Sequence, residues 1–187
     1  MSVAHDTDPG RTGTWHDDDG EYHRDGDLPA VVSSDGSRIW FQHGKRHRDG
    51  DLPAVVLHTR KWQFQAWFQH GEEHRDGDLP ASVFSNGTMR WYQHGKLHRS
   101  FDLPAAVFAN GIQEWWQHGR LHRSHDLPAV VWPNGDREWW VDGRLQSNLD
   151  RAQTRSVMAQ AAARWSPLRA AFVAAVVTKS VATKCSV

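Results

Sequence analysis

The chain has 187 residues, and its 22 Lys plus Arg equal its 22 Asp plus Glu, so the formal net charge is zero. That balance excludes the basic footprint of a nucleic-acid binder and argues against a polybasic membrane patch. The single cysteine, Cys185, cannot form an intramolecular disulfide, and no basic-then-apolar leader opens the chain, so the expected location is intracellular, in the cytoplasm.

Residues 1–14 are polar, contain Pro9, Gly10 and Gly13, and show no periodicity; they read as a disordered lead-in. From Trp15 onward one motif recurs. Aligned on Gly20, Gly44, Gly71, Gly95, Gly119 and Gly143, the copies are 24 residues apart, with one step of 27. A period of this size predicts about five units, each packing mainly on its neighbours, over residues 15–146. The first copy is degenerate: it carries His16 and Asp17 where later copies carry an aromatic pair, as suits an outer edge without a partner.

Each later unit divides into two extended runs. In the fifth, Ala129, Val130, Val131 and Trp132 lead to Asn134-Gly135, and residues 137–141 return to Asp142-Gly143. Asn-Gly between such runs predicts a hairpin with a two-residue type I′ turn. Asp35-Gly36, Asn86-Gly87 and Asn110-Gly111 are the equivalent first turns; the His-Gly pairs at 43, 70, 94 and 118 are the second. Two-residue turns set Val107 opposite Glu114, Ala106 opposite Trp115, Trp116 opposite Leu121 and Trp115 opposite His122. The second copy lacks its Asn-Gly and reads as a longer loop across residues 57–65. The expected fold is mainly β: an elongated antiparallel hairpin array, a twisted meander of about ten strands.

A second motif, His-Arg-x-x-Asp-Leu-Pro-Ala, recurs at Arg24/Asp27, Arg48/Asp51, Arg75/Asp78, Arg99/Asp102 and Arg123/Asp126. Its proline marks a strand start after a non-sheet connection, and the Arg–Asp pair either ties that connection or bridges to the next unit. As exposed pairs these contribute on the order of 0–1 kcal/mol each. After Leu145 the motif stops. Residues 147–187 read as two helices, 149–165 and 168–183, forming a cap or docking tail; Ser166-Pro167 opens the second, and its apolar run is too short to span a bilayer.

Trp91, Gly95, His98, Asn110 and Gly111, repeated as Trp115, Gly119, His122, Asn134 and Gly135, resemble MORN-type repeats. The match is closest to a variant reading G-[KR]-x-H-R-x-x-D-x-P-A, common in predicted proteins of giant DNA viruses. Where the ordinary family continues from its histidine with Gly-x-Gly, this chain has Arg and then Leu-Pro-Ala. The resemblance implies hairpin scaffolds that bind proteins and sometimes acidic phospholipids, without catalysis. The residues taken to define the unit are Gly44, His47, Gly71, His74, Trp91, Gly95, His98, Trp115, Gly119, His122 and Trp139.

Three chemistries compete with structure. The pairs His43/His47, His70/His74, His94/His98 and His118/His122 flank tight turns and could share a divalent metal. With no cysteine partner and near-identical recurrence, hydrogen bonding within the turn is the preferred account, and no metal or other cofactor is expected. The tryptophan rows read as core rather than as a ligand platform. The acidic run 17–21 lacks the spacing of a calcium loop. No nucleophile–base pair or phosphate loop stands outside the recurring pattern, so catalysis is not expected. The expected function is a non-enzymatic scaffold for protein–protein interaction; a phosphoinositide-binding module and a metal-binding histidine array are the alternatives.

Overall fold

The computed structural model describes residue 8 and residues 10–147. They are mainly antiparallel β, with many hairpins and no helix among them. The helices expected at 149–165 and 168–183 lie outside the described residues.

Eleven strands form one sheet and ten more form five separate two-stranded hairpins. The sheet starts at Gly13–Thr14, inside the segment read as disordered, and follows chain order to Arg137–Glu138. In each unit the second sheet strand runs on into a small hairpin, but Trp40, Trp67, Trp91, Trp115 or Trp139 interrupts the pairing between them. Around Trp115, Gln113–Glu114 pairs in the large sheet, while Trp116–Gln117 pairs only with Arg120–Leu121. The meander expected as a single ribbon is therefore creased at every unit. At the crease the tryptophan backbone bonds instead to two stretches of chain that follow it. The Trp115 amide donates to the Ala129 carbonyl at 2.8 Å, and the His122 amide donates to the Trp115 carbonyl at 3.0 Å.

Of the two turns of each unit, the His-Gly turn keeps the expected two-residue form and the Asn-Gly turn does not. At Asn110-Gly111 the strands pair Val107 with Gln113 and Ala106 with Glu114, one residue away from the predicted register. Phe108 accepts the Gly111 amide at 2.8 Å and donates to Ile112 at 2.9 Å, so the loop holds three residues. Only Gly111 has positive φ there, 86°, and the Asn110 side chain accepts the Ile112 amide at 3.2 Å. This is a type I turn closed by a glycine bulge, which Asn-Gly serves as well as it serves type I′. The two-residue turn with both φ positive is instead the His-Gly one: His118 at 51° and Gly119 at 80°. There the predicted pairing of Trp116 with Leu121 holds. The second unit's three extra residues lengthen its strands, Val55–His58 and Gln63–Ala66, rather than its loop. Thr59 closes that hairpin by donating to the Trp62 carbonyl at 3.0 Å.

A third bend lies in the connection. Asp27, Asp51, Asp78, Asp102 and Asp126 have φ between 53° and 56°. The residue before each also has positive φ: it is glycine at 26, 50 and 77, but Phe101 at 62° and His125 at 64° in the last two connections. The left-handed region costs a side-chain-bearing residue roughly 1–2 kcal/mol.

Phe101 is 86% exposed and gains little from packing. Phe101→Gly should therefore raise stability to urea by about 0.5–1 kcal/mol, the relieved strain less the entropy that glycine adds to the unfolded chain. Gly119→Val is the opposite case. A Cβ there meets Lys96 only at an ordinary 3.6 Å, so the expected loss, about 1–3 kcal/mol, comes from backbone strain. A wild-type unfolding midpoint for Gly119→Val would count against this turn.

Candidate functional site

Consecutive units are fastened by one joint. Arg99 lies with its guanidinium 3.8 Å from the centre of the Trp91 ring, and both nitrogens of its fork bond Asp78 of the preceding connection, at 2.8 and 2.9 Å. Its third donor reaches the Pro104 carbonyl at 3.3 Å, and Trp91 donates its indole N–H to the Asp78 carbonyl at 2.9 Å. The same set recurs as Arg48–Trp40–Asp27, Arg75–Trp67–Asp51 and Arg123–Trp115–Asp102. Of the two roles the sequence left open for the Arg–Asp motif, the structure shows the bridge, with each arginine taking the aspartate of the unit before it. The arginine side chains are only 16% exposed, sandwiched between ring and loop. Such a partly desolvated stack adds about 0.5–2 kcal/mol to the ion pair, above the 0–1 kcal/mol expected of a surface pair. Bonds from the guanidiniums hold the carboxyls of Asp51, Asp78 and Asp102 below the usual carboxylate range.

The histidines are also paired between units rather than within a turn. His47 Nδ1 accepts the backbone amide of His70, and the two rings stack with centroids 4.6 Å apart. His23 with His43, His74 with His94, and His98 with His118 repeat the arrangement. His122 Nδ1 accepts the Asp142 amide in the same way. The pairs that the sequence weighed as metal sharers, His43/His47, His70/His74, His94/His98 and His118/His122, are therefore not the pairs that bond and stack. An amide can only donate, so each neutral accepting ring carries its proton on Nε2, which meets Asp25, Asp49 or Asp76 in the first three units and Ser100 or Ser124 in the last two. Burial, with help from neighbouring His118, pushes His98 below its usual value.

The glycines expected to define the unit, Gly44, Gly71, Gly95 and Gly119, all sit at the second turn position with φ of 70–92°. The tryptophan rows separate by face. Trp40, Trp67, Trp91 and Trp115 are 7–8% exposed and lie under the arginines; Trp139, at the last unit, is half-buried. The next residue of each unit, Phe41, Phe68, Tyr92, Trp116 or Trp140, points the other way and stays half-exposed. Of the tryptophan rows that the sequence read as core, only the arginine-stacked one is buried.

That second face carries charge among its rings. Arg90 lies 5.3 Å from Phe84 and 5.6 Å from Phe108. Trp116 donates its indole N–H to Glu114 at 2.8 Å, and Trp140 donates to Glu138 at 2.7 Å. In the middle of the face Glu73 accepts the Ser82 hydroxyl; burial raises its carboxyl, against the opposing pull of Ser82, Arg90 and Arg46. Burial and the Glu73 charge raise Tyr92 as well. Sequence reading passed over Arg90, Glu114 and Glu138 because they lie on strands read only for register. Their signal was a long polar residue two places before an aromatic one.

No family model matches the chain, and no curated protein matches it.

Arg99→Lys keeps the charge but loses the fork and the planar stack, and should cost about 1–2 kcal/mol. A cycle of Arg99→Lys, Asp78→Asn and the double variant should show coupling of about 1 kcal/mol; simple additivity would show that the joint is not one unit. His98 makes a separate prediction. Its folded form binds a proton less readily than its unfolded form, so the stability present above about pH 6.5 is lost as pH falls through its lowered value. His98→Asn leaves an acceptor for the His118 amide but nothing to titrate. Urea midpoints measured at about pH 7.5 and 5.5 should therefore differ less in His98→Asn than in the wild type.

Proposed function

We propose that this protein is a non-enzymatic scaffold of MORN-like hairpin units that binds a protein partner on its half-exposed aromatic face. One observation supports the reading above others. Tyr92, Trp116 and Trp140 share a face with Arg90, Glu114 and Glu138, and the rings stay partly in water while the polar groups are already held by intramolecular bonds. Tryptophan, tyrosine and arginine are the residues that dominate protein interfaces, and pre-bonded polar groups lower the ordering entropy of binding. The strained, recurring and mutually bonded His, Asp and Arg of the opposite side are spent on fastening units. No described helix is long and apolar enough to cross a membrane.

The test is affinity capture from the source lysate by the full chain, read by crosslinking and mass spectrometry, against a Trp116→Ala/Arg90→Glu variant. A partner crosslinked to this face in the wild type and weakened at least about tenfold in the variant, with melting preserved, is the expected result. Salt-sensitive co-sedimentation with acidic liposomes, undiminished in the variant, would replace this reading with a phospholipid-binding one.

A further inference from the structure

The recurrence that assigns most histidines to structure breaks at one place. Trp15 and Gly20 are five residues apart, where Trp40–Gly44 and Trp115–Gly119 are four, and Asp17 stands where other units carry Gln42, Gln69, Gln93 or Gln117. The added residue changes the turn: the Asp17 amide donates to the Glu21 carbonyl at 2.9 Å and the Gly20 amide to the Asp17 carbonyl at 3.0 Å. One Asp17 oxygen, Oδ1, then accepts the Glu21 amide at 2.9 Å, while Oδ2 turns to His43 Nδ1 at 3.0 Å. His43 stacks on His23 with centroids 4.3 Å apart. One ligand atom from each of Asp17, His23 and His43 lies within 4.8 Å of the others, and among the described residues no other three His, Cys or carboxylate side chains come so close.

The hydrogen bonds around the cluster orient the lone pairs. His43 donates its backbone amide to His23 Nδ1 at 3.2 Å, so the neutral His23 ring carries its proton on Nε2, 3.0 Å from Asp25. A ring nitrogen left as a lone pair while the other leans on a carboxylate is the arrangement that orients metal-binding histidines. His43 itself is 75% exposed on its side chain, so it has room to turn and an approach from solvent, whereas Asp17 is 13% exposed and fixed by its turn.

We propose that Asp17, His23 and His43 bind one divalent cation of the zinc class at the start of the sheet, through Asp17 Oδ2, His43 Nδ1 and His23 Nδ1. Two imidazoles and one carboxylate are a donor set zinc accepts, at about 2.0–2.2 Å per ligand, with a remaining position for water. Such bond lengths place tetrahedral ligands roughly 3.4 Å apart, so Asp17 and His43 open slightly and His23 closes inward. His43 gives up the Nδ1 proton that faces Asp17 and carries one on its exposed Nε2 instead. The His43 amide leaves His23 for solvent. The pairing differs from the His43/His47 sharing that the sequence suggested, because the second histidine comes from the neighbouring unit and the carboxylate from a turn that no other unit has.

Titration of the full chain, without a histidine tag, with Zn²⁺ in a calorimeter tests the site, with Co²⁺ absorption as a spectroscopic check. Near one equivalent should bind. Asp17→Asn, which keeps the oxygen that caps Glu21, and His43→Gln should each weaken binding about 10- to 100-fold. His118→Gln removes the equivalent ladder histidine where no such carboxylate exists, and should leave the affinity unchanged. Zinc should also raise the melting temperature of the wild type and of His118→Gln, but not of the other two; circular dichroism of each variant establishes that it is folded. Absence of near-stoichiometric binding, wild-type affinity in Asp17→Asn, or equal losses in His43→Gln and His118→Gln would each overturn the assignment.

Discussion

The structure depends on a guanidinium lying flat on an indole and clasping a carboxylate from the unit before. Arg48, Arg75, Arg99 and Arg123 each use every face they have: the plane on tryptophan, the fork on aspartate, the last donor on a proline carbonyl. A hairpin alone is marginal in water, and short two-residue strands like these would not survive singly. What makes them stand is that each tryptophan is covered on one side by its own unit's arginine, while its indole N–H is capped by the aspartate carbonyl one unit back. The histidine ladder runs parallel to this joint and adds a second bond between units, an amide into a ring nitrogen.

The division of labour between the two sides follows from strand alternation. Consecutive residues point to opposite faces, so the adjacent pairs Trp91-Tyr92 and Trp115-Trp116 must send one ring to the joint and the other outward. The joint takes the first, since the connection with its arginine folds back over that side. The second is left with Arg90, Glu114 and Glu138 on a surface that the fastening does not use. Fastening and recognition are thus separated by one residue along the chain.

The strands and bends were legible where chemistry is local. Alternation, Asn-Gly or Asp-Gly, His-Gly and Leu-Pro-Ala marked most of the units, and Trp116 met Leu121 as the spacing required. The register at Asn110-Gly111 was missed because Asn-Gly suits two turns that differ by one residue, a type I′ turn and a type I turn closed by a glycine bulge. The His-Gly turn was foreseen, but not its partner: His98 of the preceding unit holds the His118 amide and stacks on its ring from some 20 residues away. The histidine contacts were missed for the same reason: spacing along the chain showed the histidines but not which unit each one faces. Asp17 was read only as part of an acidic run in a degenerate first copy, since only the altered turn brings its carboxylate to His43.

The joint also bears on how such a chain can change length over generations. Every clasp is made between an arginine and an aspartate one unit apart, so any unit that carries both fits between any two others. The 27-residue step shows how much latitude remains: Arg75 reaches Asp51 across 24 positions where Arg99 reaches Asp78 across 21, with the same clasp at either end. The three surplus residues are absorbed in the longer strands that end at His58 and begin at Gln63, beyond the clasp. Duplication or loss of a whole unit therefore leaves the fastening chemistry intact. Insertions accumulate harmlessly at the far hairpin tips, whereas a single lost arginine or aspartate breaks the succession at that point.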